Sequence, residues 1–350
     1  MRAEPDRSEP VRWFSLFGLG VGVACAQGAS GAPDPRALAP EPGASTTCTA
    51  TVGELRIPSR DPGVEILVQR ARAPGPRVGR VVLTHGAGSG GSATWNLPGE
   101  HSVLGHLACA GIDAYAFDAR GYGGSTRPPE LERDDPKGEP IVRARDVQSD
   151  LQAIVDLVRR DSGPGPVDLM GWSWGCVVAG LFASERASEV RRLVLVAPVW
   201  DRQLASRHIT DRIWREESRA LHRKLEAPGR EDPRVHAAFV EALFRFEAGD
   251  VVRLPNGPYR DLYGPDAPVW DARAVTAEVL VIRGERDGAS RREAALRLFE
   301  ALANARSRAY VEVGDTGHFL FRRAGARAFR AFVTRFLTRP PTASYGPPEP

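Results

Sequence analysis

From Arg80 to Val196 the chain alternates between short runs that are apolar almost throughout and longer stretches whose apolar residues recur every three or four positions. The short runs are Arg80–Thr84, Ala114–Phe117, Val167–Met170 and Arg192–Val196. They have the length and aliphatic content of strands buried on both faces. The longer stretches read as helices. One covers Val103–Cys109. A second puts Val147, Leu151, Ile154, Val155 and Val158 on one face, and a third runs through Val177, Val178, Leu181 and Phe182. Upstream, Thr47–Ile57 and Val64–Ala73 read as strands of a hairpin that turns across Ser59–Gly63. Downstream, Val279–Ile282 and Ala309–Val313 repeat the buried-strand pattern, and a last helix packs through Phe329, Phe332, Val333 and Phe336. Strand–helix alternation predicts an α/β fold: a mostly parallel sheet of eight strands flanked by helices.

The stretch between Trp200 and Pro268 is too long for a loop. It carries two helical patterns, one through Ile209, Ile213 and Trp214 and one through Phe239, Val240, Leu243 and Phe244. It is expected to form a helical cap inserted after the sixth strand. The expected organisation is a leader and linker over 1–43, core over 44–199, cap over 200–268, core again over 269–339, and a disordered tail over 340–350.

The first residues form a separate region. Met1–Arg12 carries both signs of charge, and Trp13–Ala26 carries none. That length suits the apolar core of a signal peptide better than a membrane span, with Ala24-Cys25-Ala26 as a small-residue cleavage site. Cys25 also permits a lipoprotein reading, in which the lipidated cysteine becomes the new N-terminus and attaches the protein to a membrane. The acidic Glu4, Asp6 and Glu9 fit neither reading well, and a leader without an export role remains open. Export is the expectation. Gly28–Gly43 is a Pro-, Ala- and Gly-rich linker.

Composition narrows the class. Of 350 residues 42% are hydrophobic and 26% charged, with a net charge of +3, as in globular proteins. Charges of both signs are interspersed, which argues against nucleic acid as a partner. A small-molecule substrate is expected instead. Of the four cysteines, Cys109 and Cys176 sit in apolar helical stretches and read as small core residues rather than a disulfide. There is no C-x-x-C pair to suggest a zinc site.

Candidate chemistry lies where strands end. Val167–Met170 leads into Gly171-Trp172-Ser173-Trp174-Gly175 and then a helix. Strand, sharp turn with a serine at its tip, helix is the context that gives G-x-S-x-G a mechanism. Ser173 would stand at a helix N-terminus, where developing negative charge is favoured. The Arg80–Thr84 strand runs into His85-Gly86-Ala87-Gly88-Ser89-Gly90-Gly91. No phosphate-loop spacing is present. The alternative is a loop that points the Ala87 N–H at an oxyanion, with His85 bracing it.

Taken together, HGAGSGG, DARGYGGSTRP, MGWSWG, VLVIRGERD and GDTGHF, in that order over residues of about 80 to 320, resemble the α/β-hydrolase family. The resemblance implies a Ser-acid-His triad: Ser173 as nucleophile, Asp287 as acid, with Asp201 as fallback and Glu285 as loop structure, and His318 as base. It implies acyl transfer to water without cofactor or metal, with the Ala87 and Trp174 N–H groups as oxyanion donors. Trp172, Trp214 and Phe239 are expected to line an acyl pocket. A carboxylic ester, lactone or amide is the expected substrate. An aminopeptidase resembling proline iminopeptidases would need a carboxylate for the substrate amine, for which Glu216 and Glu217 are candidates, although a solvated charged face explains them more simply. A non-catalytic ligand receptor on the same fold has no need of all three triad residues. A carboxylate-nucleophile reaction is disfavoured by Ser173, while a serine-dependent carbon–carbon bond hydrolase remains compatible.

Overall fold

A computed structural model describes residues 48–200, 212–224, 232–322 and 325–340. The leader with Cys25, the fallback acid Asp201, His208, Ile209 and the tail after 340 lie outside these residues.

The elements follow the apolar pattern closely. In chain order they are β1 (Val52–Pro58), β2 (Glu65–Ala71), β3 (Gly79–Thr84), α1 (Gly91–Trp95), α2 (Val103–Cys109), β4 (Ile112–Phe117), α3 (Gln148–Ser162), β5 (Val167–Trp172), α4 (Trp174–Glu185) and β6 (Val190–Val196). There follow β7 (Trp214–Ser218), α5 (Arg219–Lys224), α6 (Pro233–Leu243), β8 (Val251–Pro255) and α7 (Gly257–Tyr263). The chain then returns through β9 (Glu278–Gly284), α8 (Arg292–Ala301), β10 (Ser307–Val313) and α9 (Ala326–Thr338).

Eight strands make one sheet in the order β1-β2-β4-β3-β5-β6-β9-β10. The β1–β2 and β2–β4 pairs are antiparallel and every other pair is parallel. Apolar clusters cover both faces, so the central strands read as unbroken hydrophobic runs. Two pairs of their polar exceptions sit near the strand starts. Asp168 on β5 pairs with Arg191 at 2.5 Å, and Arg192 on β6 pairs with Glu278 on β9 at 3.1 Å. These pairs stitch one end of the sheet and leave the other end for loops. The chain passes from β3 to β4 on one side, then returns to β5 on the other. Such a switch point opens a crevice beyond the carboxyl ends of the two strands. Here the loops after β3 and β5 carry His85–Gly91 and Ser173.

Two expectations fail. The insertion between β6 and β9 is not wholly helical, because Trp214 starts a strand. β7 pairs antiparallel with β8, Trp214 opposite Pro255 and Ser218 opposite Val251. The segment WREES puts Trp214 and Glu216 on one face and Arg215 and Glu217 on the other, and a helical pattern resting on Ile209, Ile213 and Trp214 is too short to exclude a strand. Cys109 is also not a plain core residue: it forms a disulfide with Cys48, 61 positions away. Cys176 remains a buried free thiol.

Candidate active site

The turn after β5 is strained in the way a serine at its tip requires. Ser173 has φ 55° and ψ −118°, and it starts α4. A non-glycine residue at positive φ costs of order 1–3 kcal/mol and persists only where its surroundings hold it. Here the Ser173 N–H donates to the Val196 carbonyl at 2.9 Å, and the Cys176 N–H donates to the Ser173 carbonyl at 3.0 Å. The flanking glycines are needed sterically. A Cβ on Gly171 would lie 2.3 Å from the Gly175 oxygen, and one on Gly175 would lie 2.4 Å from the Thr84 oxygen. The turn is thus pressed against the end of β3.

Asp287 and His318 come from the loops after β9 and β10. Asp287 Oδ1 accepts from the Ala289 and Ser290 N–H groups at 2.9 and 2.8 Å. Its other oxygen faces His318 Nδ1 at 2.9 Å, with the Asp287 side chain fully buried. An acceptor there makes Nδ1 the donor and, in the neutral ring, selects the tautomer whose lone pair is on Nε2, the one a general base needs. His318 is tied to the serine turn through its neighbour. Trp172 Nε1 donates to the His318 carbonyl at 3.0 Å, and the two rings lie 5.2 Å apart. Glu285 accepts the Asp315 N–H at 2.9 Å and so belongs to the loop framework.

The loop after β3 is fixed from within the protein. His85 is fully buried, its Nδ1 donating to the Gly86 carbonyl at 2.8 Å and its Nε2 accepting the Ala119 N–H at 3.0 Å. Burial, only partly offset by the Gly86 hydrogen bond, lowers its pKa to about 4, so the ring is neutral at neutral pH. The Gly86 carbonyl and the Ala87 N–H belong to one planar peptide unit. Holding the carbonyl therefore aims the N–H. The Ala87 carbonyl in turn accepts from Tyr122 Oη at 3.0 Å and from Arg215 Nη2 at 2.9 Å. Trp174, whose N–H opens α4, is held by its indole, which donates to Asp261 Oδ2 at 3.0 Å.

The residues expected to line a pocket separate. Phe239 on α6 reaches this region, with its ring 6.2 Å from Phe319, the residue after His318. Trp172 is buried as a brace between His318, Phe319 and Phe321. Trp214 packs in a small apolar cluster with Leu131 and Ile213, beneath the Arg253 guanidinium. Glu216 and Glu217 also part company. Glu216 pairs with Arg253 at 3.1 Å near the surface. Glu217 is buried between Arg215 at 2.6 Å and His222 at 2.8 Å, not on a solvated face. Burial alone would raise its pKa, but Arg215 and His222 outweigh this and bring it down to about 2. His222 and His236 are buried in the insertion.

Three residues went unforeseen. Tyr122 and Arg215 hold the Ala87 carbonyl. Arg322 lies over Phe239 at 4.1 Å and over Phe319 at 4.3 Å, which links the insertion to the His318 loop. The run His318-Phe319-Leu320-Phe321-Arg322 carried a signal for the last, since aromatic and cationic residues cluster beside the candidate base.

Comparison with known proteins agrees with this architecture. A family model described as the alpha/beta hydrolase family matches residues 81–331. A search of curated proteins finds no match. Among solved structures, the enol-lactonase of Burkholderia xenovorans is 19% identical with a TM-score of 0.57, the match covering 81% of this chain and 100% of that one. A monoacylglycerol lipase of Paleococcus ferrophilus is 20% identical over 77% of this chain and 98% of its own, with a TM-score of 0.56. A meta-cleavage product hydrolase of Pseudomonas fluorescens is 18% identical over 81% and 97%, also with a TM-score of 0.56. At such identities the structural likeness shows the fold alone. With the family model spanning most of the chain, the protein belongs to the α/β-hydrolase family of enzymes.

Proposed function

We propose that the chain is a serine hydrolase that cleaves a carboxylic ester or lactone through an acyl-enzyme. The observation that carries this reading is the Asp287–His318 pair, tied through Trp172 to a strained serine turn. A serine hydroxyl needs a base within reach to attack at neutral pH. In the first half-reaction the Ser173 proton passes to His318 Nε2 while Oγ bonds to the carbonyl carbon. The negative charge on the carbonyl oxygen is met by the Ala87 and Trp174 N–H groups. Collapse breaks the bond to the leaving group, which takes the proton from His318. Water then repeats the sequence and releases the acid and Ser173. Asp287 keeps the imidazole oriented and stabilises its protonated form.

The acidic residues of the insertion favour an ester over an N-terminal amine as the recognised group. Glu217 is paired with Arg215 and contacted by His222, and Glu216 is paired with Arg253. Phe239 and Phe319 instead offer an aromatic wall beside His318. A fluorophosphonate probe should label wild type at Ser173 and leave Ser173→Ala unlabelled, by peptide mass mapping. Wild type should then turn over p-nitrophenyl esters faster than amino-acid anilides. A folded wild type that takes up no label and cleaves no ester would refute the reading, and preference for anilides would move it to the aminopeptidase class.

The proposed location is outside the cytoplasm, with Cys25 as a candidate lipid anchor. The Cys48–Cys109 bond supports export, because structural disulfides persist in oxidising compartments. In fractionated cells the exported chain should block only Cys176 with a thiol reagent after unfolding, with a lipid-bearing Cys25→Ala-sensitive form in the membrane fraction if the anchor is used. A mature chain with Cys48 and Cys109 both reduced inside the cell would overturn export.

A further inference from the structure

One side chain of the insertion is built into the loop after β3, which carries the candidate oxyanion donor. Arg215 is the second residue of β7. Its Nη2 donates to the Ala87 carbonyl at 2.9 Å. Its Nε meets Glu217 Oε1 at 2.6 Å, and Nη1 donates to the Pro255 carbonyl at 3.0 Å and reaches Asn256 Oδ1 at 3.4 Å. The guanidinium plane lies 4.3 Å over the Tyr259 ring. Glu217 is held on its far side by His222 Nε2 at 2.8 Å, and His236 Nε2 contacts the His222 carbonyl at 3.0 Å. The fork is therefore fixed on every edge, and one edge points out of the insertion into the core.

A buried ion pair is a poor way to gain stability, because desolvation offsets most of the attraction. Arg215 has only 18% of its side chain exposed and Glu217 17%. Packing alone would be served as well by apolar residues. What an apolar residue does not supply is a rigid donor reaching a particular carbonyl. That carbonyl belongs to Ala87. The peptide on the N-terminal side of Ala87 is held by His85 through the Gly86 oxygen. The peptide on its C-terminal side is held by Tyr122 and Arg215. With both flanking peptides fixed, the Ala87 N–H has one direction. Of these three holders only Arg215 comes from the insertion.

We infer that Arg215 is a positioning residue of the oxyanion hole, and that the hole takes its working geometry only when the β7–β8 ribbon is seated on the loop after β3. The inference rests on the serine-hydrolase reading. Arg215 touches no reacting atom and works through the Ala87 backbone. β7 lifted to admit substrate would carry the guanidinium away from Ala87, and reseating would restore the hole around the bound ester. Catalysis and closure would thereby be coupled through one side chain. Removing an oxyanion donor outright lowers kcat by about 10²–10³-fold. Loosening its aim should have a smaller effect, about 10-fold to 10²-fold.

The test uses the full-length protein with Arg215→Lys and Arg215→Gln, Ser173→Ala as control, and p-nitrophenyl esters of several acyl lengths. Lysine keeps a charge for Glu217 but cannot span Glu217, Pro255 and Ala87 together, so it addresses position without emptying the ion pair. Folding is checked by circular dichroism and melting temperature. The expected result is a kcat lower by at least about 10-fold for each folded Arg215 variant, with KM within about twofold of wild type. A boronic acid that mimics the tetrahedral intermediate should lose affinity by the same factor as kcat/KM. Loss of packing alone would not make inhibitor affinity track kcat in this way. Unchanged kcat in a folded Lys variant, or a loss carried by KM alone, would overturn the inference while wild type, silenced by Ser173→Ala, still upholds the hydrolase reading. A wild type whose turnover is indifferent to Ser173→Ala would overturn both.

Discussion

Single residues set the chemistry here through their burial. His85 is the clearest case, a neutral imidazole sealed between the loops after β3 and β4. Its ordinary pKa of 6.5 in the unfolded chain falls to about 4 in the fold. Between these values the unfolded state binds the proton and the native state does not, so stability rises with pH across that window. The contribution is therefore complete above pH 6.5 and is lost as pH falls through about 4. A displacement of this size corresponds to roughly 3 kcal/mol. His106 is also lowered to about 4 by burial, aided by Arg330, and adds to the same window. In His85→Asn the side-chain amide can still donate to the Gly86 carbonyl but does not titrate. Urea unfolding of this variant between pH 7 and 4 should show a shallower loss of stability than wild type, with His106 accounting for most of what remains. An equally steep loss would mean that His85 is protonated in the native state. Glu217, brought down to about 2, titrates below this window, where its pairing with Arg215 and His222 is lost only as pH falls from 4.5 toward 2.

At the scale of elements, the sequence was readable wherever burial is uniform. β5, β6 and β9 lie in the middle of the sheet, and their apolar runs leave no alternative pattern. Helix α2 has the bounds Val103–Cys109 that its apolar spacing predicts. The Gly171 and Gly175 positions were legible too, because close approach at a sharp turn excludes a Cβ whatever the rest of the fold does. The insertion was less readable for a physical reason. β7 is a five-residue strand that buries Trp214 on one side and a charged pair on the other. Arg215 and Glu217 are polar in any hydropathy pattern, so nothing in it distinguishes a salt bridge sealed against the core from a solvated helix face. Their spacing of two residues did hold the clue, since side chains at i and i+2 share a face only in a strand. The disulfide was hidden in a different way. Cys48 precedes β1 and Cys109 ends α2, and it is the fold of the β1–β2–β4 edge that brings them together. No spacing rule connects two cysteines 61 positions apart. The candidate triad followed from strand order, because each of its residues stands in the loop after a strand, while Arg215 comes from the insertion and had no such anchor.

The whole molecule decides whether the insertion behaves as a detachable lid or as part of the fold. Its α6 residues Val235, Phe239, Val240 and Leu243, with Val252 and Leu254 of β8 and Leu262 of α7, belong to the same continuous apolar cluster as Val177, Val178 and Leu181 of α4. Only Ile213 and Trp214 form a separate patch with Leu131. A lid with its own core would open and melt by itself, but one that shares the main core must take that core with it. Within the ribbon β8 belongs to that core and β7 does not, so opening is confined to β7, whose contact with the loop after β3 runs through polar groups such as Arg215. Leu243 tests the distinction because it is only 6% exposed and sits within the shared cluster. Leu243→Ala should destabilise the whole protein by about 2–4 kcal/mol, the range for a buried leucine replaced by alanine. The urea midpoint should fall with the slope unchanged, and far-ultraviolet circular dichroism should coincide with tryptophan fluorescence in one transition. Hydrogen exchange should speed up together in α6 and in the central strands β5 and β6. A separate early transition, or faster exchange limited to the insertion, would show a lid with an independent core. In that case Arg215 would join two bodies that part on their own, and the oxyanion loop would lose its insertion-borne support whenever the lid opened.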